Sequence, residues 1–132
     1  MYALGVSDHV MVAHSLADPF FGPAQRLHGA TYAVEIELRV ERLGAHGVVV
    51  DIGALRKIVR DALDTFDYRN LDDVAAFAGR PSTSDRVAEH VATLVARALL
   101  DLPSDARPPL PATLRALVRE SPVAWASFER AL

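Results

Sequence analysis

The sequence predicts an α+β fold with a four-stranded antiparallel sheet and two helices. Two segments with strand-like alternation come first, two segments with helical spacing follow, and two strand-like segments close the chain. The chain has 132 residues and 51% of them are hydrophobic, which is enough for one packed core. We therefore expect a single domain spanning residues 1–132.

The clearest strand is predicted over residues 31–42, where apolar and charged residues alternate. A period of two is typical of a strand that buries one face in an antiparallel sheet. Residues 9–16 are predicted as its hairpin partner, and the connection contains the turn formers Asp18-Pro19 and Gly22-Pro23. The predicted buried face consists of Tyr32, Val34, Ile36, Leu38 and Val40.

Two amphipathic helices are predicted next. A short buried strand end is expected at 48–50, and Asp51 follows as the N-cap of the first helix. Apolar residues repeat at helical spacing over 52–66, residues 66–81 are predicted as a loop, and a second helix begins near Ser84 or Asp85. The stripe of the second helix consists of Val87, Val91, Leu94, Val95, Ala98 and Leu99.

The last third of the chain predicts a strand pair. Four prolines between residues 102 and 111 end the second helix. Residues 113–120 and 123–130 are predicted as strands around a Ser121-Pro122 turn. A four-stranded sheet leaves open edges, which assembly with other subunits would cover.

Composition excludes several classes of function. The net charge is −3 and no basic run occurs, which argues against nucleic-acid binding. No apolar stretch approaches the roughly 18–20 residues that span a bilayer. The N-terminus lacks the basic region of a signal peptide, so we expect a cytoplasmic protein without a membrane partner. Cysteine is absent, which excludes disulfides, thiolate metal sites and cysteine nucleophiles.

Two segments near the N-terminus contain histidines at a characteristic spacing: Ala13-His14 and the stretch Arg26-Leu27-His28-Gly29-Ala30-Thr31-Tyr32. Together they resemble the metal-binding signature of the 6-pyruvoyl- and 6-carboxy-tetrahydropterin synthases. The resemblance implies a tunnelling-type fold, with paired helices on one face of the sheet and subunits joined sheet to sheet into a β-barrel. It also implies a trimer or a hexamer with sites at subunit interfaces. Further matching stretches follow in the same order, at 47–55, 66–72, 83–85 and 118–120.

The resemblance implies a zinc site with one ligand missing. His14 and His28 match two of the three zinc histidines of the family, and Ala30 stands in place of the third. A catalytic zinc usually takes three protein ligands, so we expect no metal cofactor, although Asp18, His9 or a neighbouring subunit could complete the set. Alternatively, His14 and His28 are pocket or core histidines with ordinary hydrogen bonds.

Two further catalytic positions depart from the family. Its catalytic cysteine falls near Ala24 here, and the neighbouring Gln25 cannot abstract a proton. Its Leu-Asp-His relay reads Phe66-Asp67-Tyr68, where a phenol with a pKa of ~10 is a poor base but a usable acid or hydrogen-bond donor. Alternatively, Tyr68 packs in a pocket wall and Asp67 caps a turn.

The ring-binding residues of the family are retained. Glu120, within Val118-Arg119-Glu120, matches the glutamate that pairs with the 2-amino and N3–H donors of a pterin, a charge-assisted bidentate contact. Thr83 and Ser84 match residues that line the other edge of the ring. Alternatively, Glu120 ends a strand in solvent, and Ser84 and Asp85 serve as helix caps.

We therefore expect an enzyme: a metal-independent acid–base lyase, cyclase or condensing enzyme in a specialised biosynthetic pathway. Its substrate would be a pterin-like or other planar ring, and its acid–base groups would be His14, His28, Asp67 and Tyr68. A second reading is a zinc-dependent tetrahydropterin synthase with a substitute ligand. A third is a pterin-binding oligomeric protein without catalysis.

Overall fold

The structure is a computed structural model that describes all 132 residues. Its frame is a five-stranded sheet in the order β3-β1-β2-β4-β5, with two α-helices. The strands are β1 Tyr2–His14, β2 His28–Val40, β3 Arg69–Asn70, β4 Ala112–Ser121 and β5 Ala124–Ala131, and the helices are α1 Ile52–Asp64 and α2 Ser84–Asp101.

The hairpin of β1 and β2 sets the position of the candidate site. The two strands pair antiparallel along their whole length, from Tyr2 opposite Val40 to His14 opposite His28. The two histidines therefore lie side by side where the hairpin opens into its connection. β4 continues the sheet from β2, and β5 forms the far edge, both antiparallel.

Both helices pack on the same face of the sheet. A single cluster of 27 buried residues includes the inward residues of β1, β2 and β4 and the apolar stripes of α1 and α2. The predicted N-cap of α1 is confirmed, because the Asp51 carboxylate accepts a hydrogen bond from the backbone N–H of Ala54 at 2.7 Å. The predicted inward face of β2 is also confirmed, since every one of its five residues is buried.

The prediction of four antiparallel strands was wrong in one respect. β3 is a fifth, two-residue strand that runs parallel to β1 beside Val12 and Ala13. It lies within the predicted loop at 66–81, which also contains two short 3-10 turns. Side chains hold this segment: Asn70 caps the first turn, and Asp72 accepts hydrogen bonds from the backbone N–H and the hydroxyl of Ser15.

Two predicted strand segments also differ from the structure, whereas the start of the second helix agrees with it. β1 begins at Tyr2, seven residues before the predicted start, and ends at His14 rather than at residue 16. Residues 48–50 form no strand, although Val49 and Val50 are buried in a turn against the core. α2 begins at Ser84, as predicted; its cap is Thr83, whose hydroxyl accepts from Arg86 N–H at 3.4 Å, and not Ser84 or Asp85 as in the alternative reading of those residues.

The opposite face of the sheet carries no helix. Its charged side chains pair with one another, with Arg39 Nε 2.7 Å from Glu37 Oε1 and Arg119 Nη2 3.3 Å from Glu35 Oε2. Neither α1 nor α2 combines the length and the apolar character needed to cross a bilayer.

Candidate active site

The site begins with two imidazoles in contact. The rings of His14 and His28 have centroids 4.5 Å apart and planes inclined by 60°. His14 is buried and His28 is partly exposed, so the pair lies at the boundary between the core and solvent. Alternation along β2 puts His28, Ala30 and Tyr32 on the face that carries the helices.

Backbone carbonyls fix the orientation of both rings. His14 Nδ1 lies 2.9 Å from the carbonyl oxygen of Ser82 and 3.0 Å from its hydroxyl. His28 Nδ1 lies 2.7 Å from the carbonyl oxygen of Arg26. A carbonyl oxygen only accepts, so each Nδ1 carries the proton and donates it. Each Nε2 is then left with a free lone pair, which can take a proton or bind a metal.

The environment keeps His14 neutral. Burial lowers the pKa of His14 below its ordinary value of 6.5, and the neighbouring His28 lowers it further, while the hydrogen bond to Ser82 and the charges of Asp72 and Glu120 act in the opposite direction. A neutral imidazole with a free Nε2 is a base that is ready at neutral pH.

Glu120 reaches the same region from β4. It follows the buried residues Ala116 and Val118 on one face, and the pairing of β4 with β5 shifts register between Arg119 and Ser121. Such bulges redirect a side chain, and they are frequent beside active sites. Glu120 is exposed. Burial, and to a smaller extent the negative charge of Glu120, raises the pKa of Tyr32 to about 12. Glu120 also acts on the pKa of His14 and forms no ion pair within the chain, so its carboxylate can accept hydrogen bonds from a ligand.

Tyr32 forms the floor of this region. Its ring centroid is 6.4 Å from that of His14 in an edge-to-face arrangement, and only 1% of its surface is exposed. With its pKa raised to about 12, the phenol stays protonated at physiological pH. Sequence reasoning placed Tyr32 in the core and did not identify its contact with His14.

Ala30 leaves the donor set of a zinc site incomplete. It lies two residues from His28 on the same face of β2, opposite Val12 on β1, and packs against the core. No cluster of three or more His, Cys, Asp or Glu side chains in the chain is arranged to hold a metal. His9 is exposed beside Asp8, and Asp18 accepts from Phe20 N–H, so neither stands in for the missing histidine within one subunit. The residues of one chain therefore do not fit the three-ligand zinc site.

Asp67 and Tyr68 make no hydrogen bond to His14 or His28 within one chain, and they contact Met11 and Arg60 instead. Both oxygens of Asp67 are occupied, one by Met11 N–H at 2.9 Å and the other by Arg60 Nη2 at 2.9 Å. Tyr68 has a left-handed backbone with φ 57°, its N–H donates to Met11 O at 2.7 Å, and 80% of its surface is exposed. Asp67 thus anchors a strained turn that presents Tyr68 to solvent at the β1 edge.

The segment before α2 supplies a contact that sequence reasoning missed. Ser82 is buried and is the residue that contacts His14, whereas Thr83 caps α2 and Ser84 is buried within its first turn. Of these three hydroxyls, that of Ser82 contacts the histidine pair, 3.0 Å from His14 Nδ1. Ala24 lies in a 3-10 segment, Pro19–Gln25, between β1 and β2, where the carbonyl oxygen of Ala24 accepts from Leu16 N–H at 3.0 Å.

Comparison with known proteins identifies the family. The family model described as "PTPS: 6-pyruvoyl tetrahydropterin synthase" matches residues 3–131. The chain belongs to the 6-pyruvoyl tetrahydropterin synthase family. The resemblance inferred from the histidine segments is thereby confirmed over nearly the whole chain.

Relatives within the 6-pyruvoyl tetrahydropterin synthase family agree with this assignment. The chain is 26% identical over 130 residues to the 6-carboxy-5,6,7,8-tetrahydropterin synthase of Bacillus subtilis, covering 96% of this chain and 84% of that protein. It is 44% identical over 62 residues to a Caenorhabditis elegans protein named for 6-pyruvoyl tetrahydrobiopterin synthase, and this match spans 46% of the chain and less than half, 44%, of that relative.

The fold of the family is also shared. The structure of Caenorhabditis elegans 6-pyruvoyl tetrahydropterin synthase superposes with a TM-score of 0.81 at 25% identity, covering 98% of this chain and 95% of that chain. The predicted tunnelling-type α+β fold is therefore confirmed, with five strands instead of four.

Proposed function

We propose that this protein is an enzyme that acts on a pterin-like ring by acid–base chemistry, with the His14–His28 pair as its proton-transfer groups. Two relatives are named for tetrahydropterin synthesis, which supports a pterin as the class of substrate. The observation that carries the proposal is the orientation of the imidazoles, whose Nδ1–H groups are both donated to backbone carbonyls. Each Nε2 is then available for a proton.

The binding step rests on Glu120. A pterin presents a 2-amino group and an N3–H side by side, and a carboxylate can accept from both at once. Glu120 is exposed, and its negative charge acts to raise the pKa values of both His14 and Tyr32. We therefore expect a ring bound to Glu120 to lie beside the histidine pair. Thr83 and Ser84 would bind the other edge of that ring, next to Ser82.

The chemical step follows from the unequal environments of the two histidines. His14 is buried and neutral, which suits a general base, and His28 is partly exposed and contacts it at 4.5 Å between ring centroids. As a general base, His14 would remove a proton from a carbon next to a carbonyl or imine of the ring or its side chain. Proton removal of this kind is the first step of lyase, cyclase and condensation reactions. None of these steps draws on zinc or on a thiolate.

Assembly would add Asp67 and Tyr68 to the site. Tyr68 is exposed beside Met11 of β1, immediately before β3. The family resemblance implies that sites lie between subunits. We propose a homo-oligomer, trimer or hexamer, in which Tyr68 of one subunit donates a hydrogen bond or a proton to the ring held by another. The expected cytoplasmic location stays a prediction.

A zinc-dependent tetrahydropterin synthase acting on dihydroneopterin triphosphate is the second candidate. One observation favours it: metal-binding histidines commonly donate their second ring N–H to a carbonyl, as both histidines do here. It requires a ligand from outside the chain's own histidine pair. A pterin-binding oligomer without turnover remains the third candidate.

Two variants test the proposal. Glu120→Gln should weaken pterin binding by about tenfold or more, because a charge-assisted pair of bonds is lost. His28→Ala should abolish turnover while pterin still binds. Glu129→Gln and His46→Ala, which alter exposed residues outside the site, should change neither quantity. If the two site variants leave both binding and turnover unchanged, the proposal is wrong.

Zinc content separates the candidates. Protein purified without chelator is analysed for metal and then assayed before and after removal of zinc. Turnover that survives zinc removal supports the acid–base enzyme, and turnover restored only by stoichiometric zinc supports the second candidate. Binding of pterins without turnover of any pterin under either condition supports the third.

A further inference from the structure

We propose that a cavity between the first half of α2 and the turn at residues 75–80 binds a small oxyanion such as a phosphate or carboxylate group. The cavity has a volume of about 170 Å³. Its lining includes Phe77, Arg80, Arg86, Glu89, His90 and Thr93. We call it the arginine cavity. It is too small for a pterin with its side chain but accommodates a group the size of phosphate.

Geometry brings its polar residues together. Arg86, Glu89, His90 and Thr93 occupy positions three and four residues apart, so they form one row on α2 beside the buried stripe. Arg80 approaches from the chain that leads into Ser82 and the helix cap. Neither His14, His28 nor Glu120 lines this cavity, so it is separate from the candidate active site.

Both arginines that line the arginine cavity are free to bind a ligand. The ion pairs of the arginines in this chain involve Arg39, Arg60 and Arg119, and neither Arg80 nor Arg86 takes part in one. Their guanidinium groups also make no side-chain hydrogen bond, since Arg86 bonds to Thr83 only through its backbone N–H. Two unpaired guanidinium forks around one cavity match the donor geometry that carboxylate and phosphate oxygens accept.

His90 adds a neutral donor at the wall of the cavity. Its ring lies between two phenyl rings, with centroids 5.2 Å from Phe77 and 5.9 Å from Phe66. Burial lowers its pKa, so the ring is neutral at physiological pH, and neither ring nitrogen has a hydrogen-bond partner in the chain. A neutral imidazole keeps one N–H, which an oxyanion in the cavity would accept.

Glu89 is the one acidic group at the arginine cavity. Its carboxylate forms no ion pair with either arginine, although all three side chains line the same space. It opposes an anion, so we expect modest affinity that decreases with salt. It also gives the test a sign, because removing the arginines and removing the glutamate should act in opposite directions.

The test is a titration with inorganic phosphate at constant ionic strength, followed by the NMR signals of the His90 ring and by calorimetry. Arg80→Gln and Arg86→Gln should each weaken phosphate binding by about tenfold, and Glu89→Gln should tighten it several-fold. Arg97→Gln is the matched control, since Arg97 is an exposed arginine of the same helix outside the cavity. A parallel titration with acetate distinguishes a phosphate site from a carboxylate site.

The proposal is supported by saturable binding of either anion, with affinity lowered in Arg80→Gln and Arg86→Gln, raised in Glu89→Gln and unchanged in Arg97→Gln. It is overturned if neither anion gives saturable binding, or if Arg97→Gln weakens binding as much as the two cavity arginines do. It is also overturned if Glu89→Gln weakens binding. Circular dichroism of each variant checks that the helix is intact, so that a folding defect is not mistaken for a lost site.

Discussion

The site differs from a three-histidine cluster at one residue, Ala30, whose side chain is a methyl group. Ala30 lies on the inward face of β2, two residues from His28, and His14 stands across the hairpin from His28. An imidazole at position 30 would point to the same side as the other two. The free Nε2 atoms of His14 and His28 are already oriented by carbonyls, so the remaining scaffold of a metal site is present.

Restoring that histidine should create zinc binding. We expect Ala30→His to raise zinc affinity by about 100-fold or more, because a third neutral imidazole completes the usual catalytic donor set. Equilibrium dialysis with metal analysis measures the change. Thr31→His is the control, since residue 31 is exposed on the opposite face of the same strand. Equal zinc affinities for the two variants would contradict this account of the site.

Buried histidines also set the response of stability to pH. The pKa values of His14 and His90 are both lowered below 6.5 by burial. The unfolded chain therefore takes up these protons first as the pH falls through about 6.5, so the free energy of unfolding should decrease between about pH 7 and pH 5.5. Urea unfolding at each pH measures the slope.

Replacing a buried histidine tests this origin of the pH dependence. His90→Phe should flatten the slope, because the ring that titrates in the unfolded state is gone and the aromatic packing is kept. His46→Gln removes an exposed histidine whose replacement should leave the slope unchanged. A steep slope that persists in His90→Phe and in His14→Gln would assign the effect to other groups.

Sequence reasoning identified side chains that a strand pattern can orient and missed contacts made across long separations. The inward positions of His14, His28 and Glu120 follow from alternation along their strands. The contact of Ser82 with His14 joins residues 68 positions apart, and no local pattern distinguishes Ser82 from other loop serines. The turn that presents Tyr68 outward depends in the same way on Asp67 reaching Met11 and Arg60.

Element boundaries were predictable where periodicity was strong. α1, α2, β4 and β5 lie within a few residues of the predicted spans, because their apolar repeats are clear. The first half of β1 was missed because its inward face includes Asp8. That carboxylate is tolerated there because Arg60 Nη1 lies 3.0 Å from Asp8 Oδ1, a partner that the local sequence does not reveal.

The cap of α1 makes a measurable contribution to stability. Asp51→Ala removes the acceptor of Ala54 N–H, and we expect the free energy of unfolding to fall by about 1 kcal/mol. Asp61→Ala on the same helix breaks only an exposed pair with Lys57, for which we expect at most about 0.5 kcal/mol. Urea unfolding of both variants checks the order, and an equal loss in both would contradict the capping role.

The whole sheet has two free edges, which points to assembly. β5 pairs only with β4, and β1 is covered by β3 only at Val12 and Ala13. Strand directions alternate from β1 through β2 and β4 to β5, so β5 of one copy could extend antiparallel onto β1 of the next. Joining edges in this way closes a barrel and leaves no exposed edge.

Light scattering should therefore give a mass three or six times the 14.3 kDa chain mass. The midpoint of thermal unfolding should also rise with protein concentration, because association stabilises the folded state by mass action. A monomeric mass at every concentration tested would contradict the proposed assembly and with it the placement of Tyr68 in a neighbouring site.

The anchoring of His14 and His28 to main-chain carbonyls has a consequence for how the site can evolve. Every residue at positions 26 and 82 supplies a carbonyl, whatever its side chain, so mutation at either position leaves an acceptor for the imidazole. The orientation of each imidazole ring is thus set by the path of the main chain. Substitutions at positions 26 and 82 can therefore accumulate without turning either imidazole away from its present orientation.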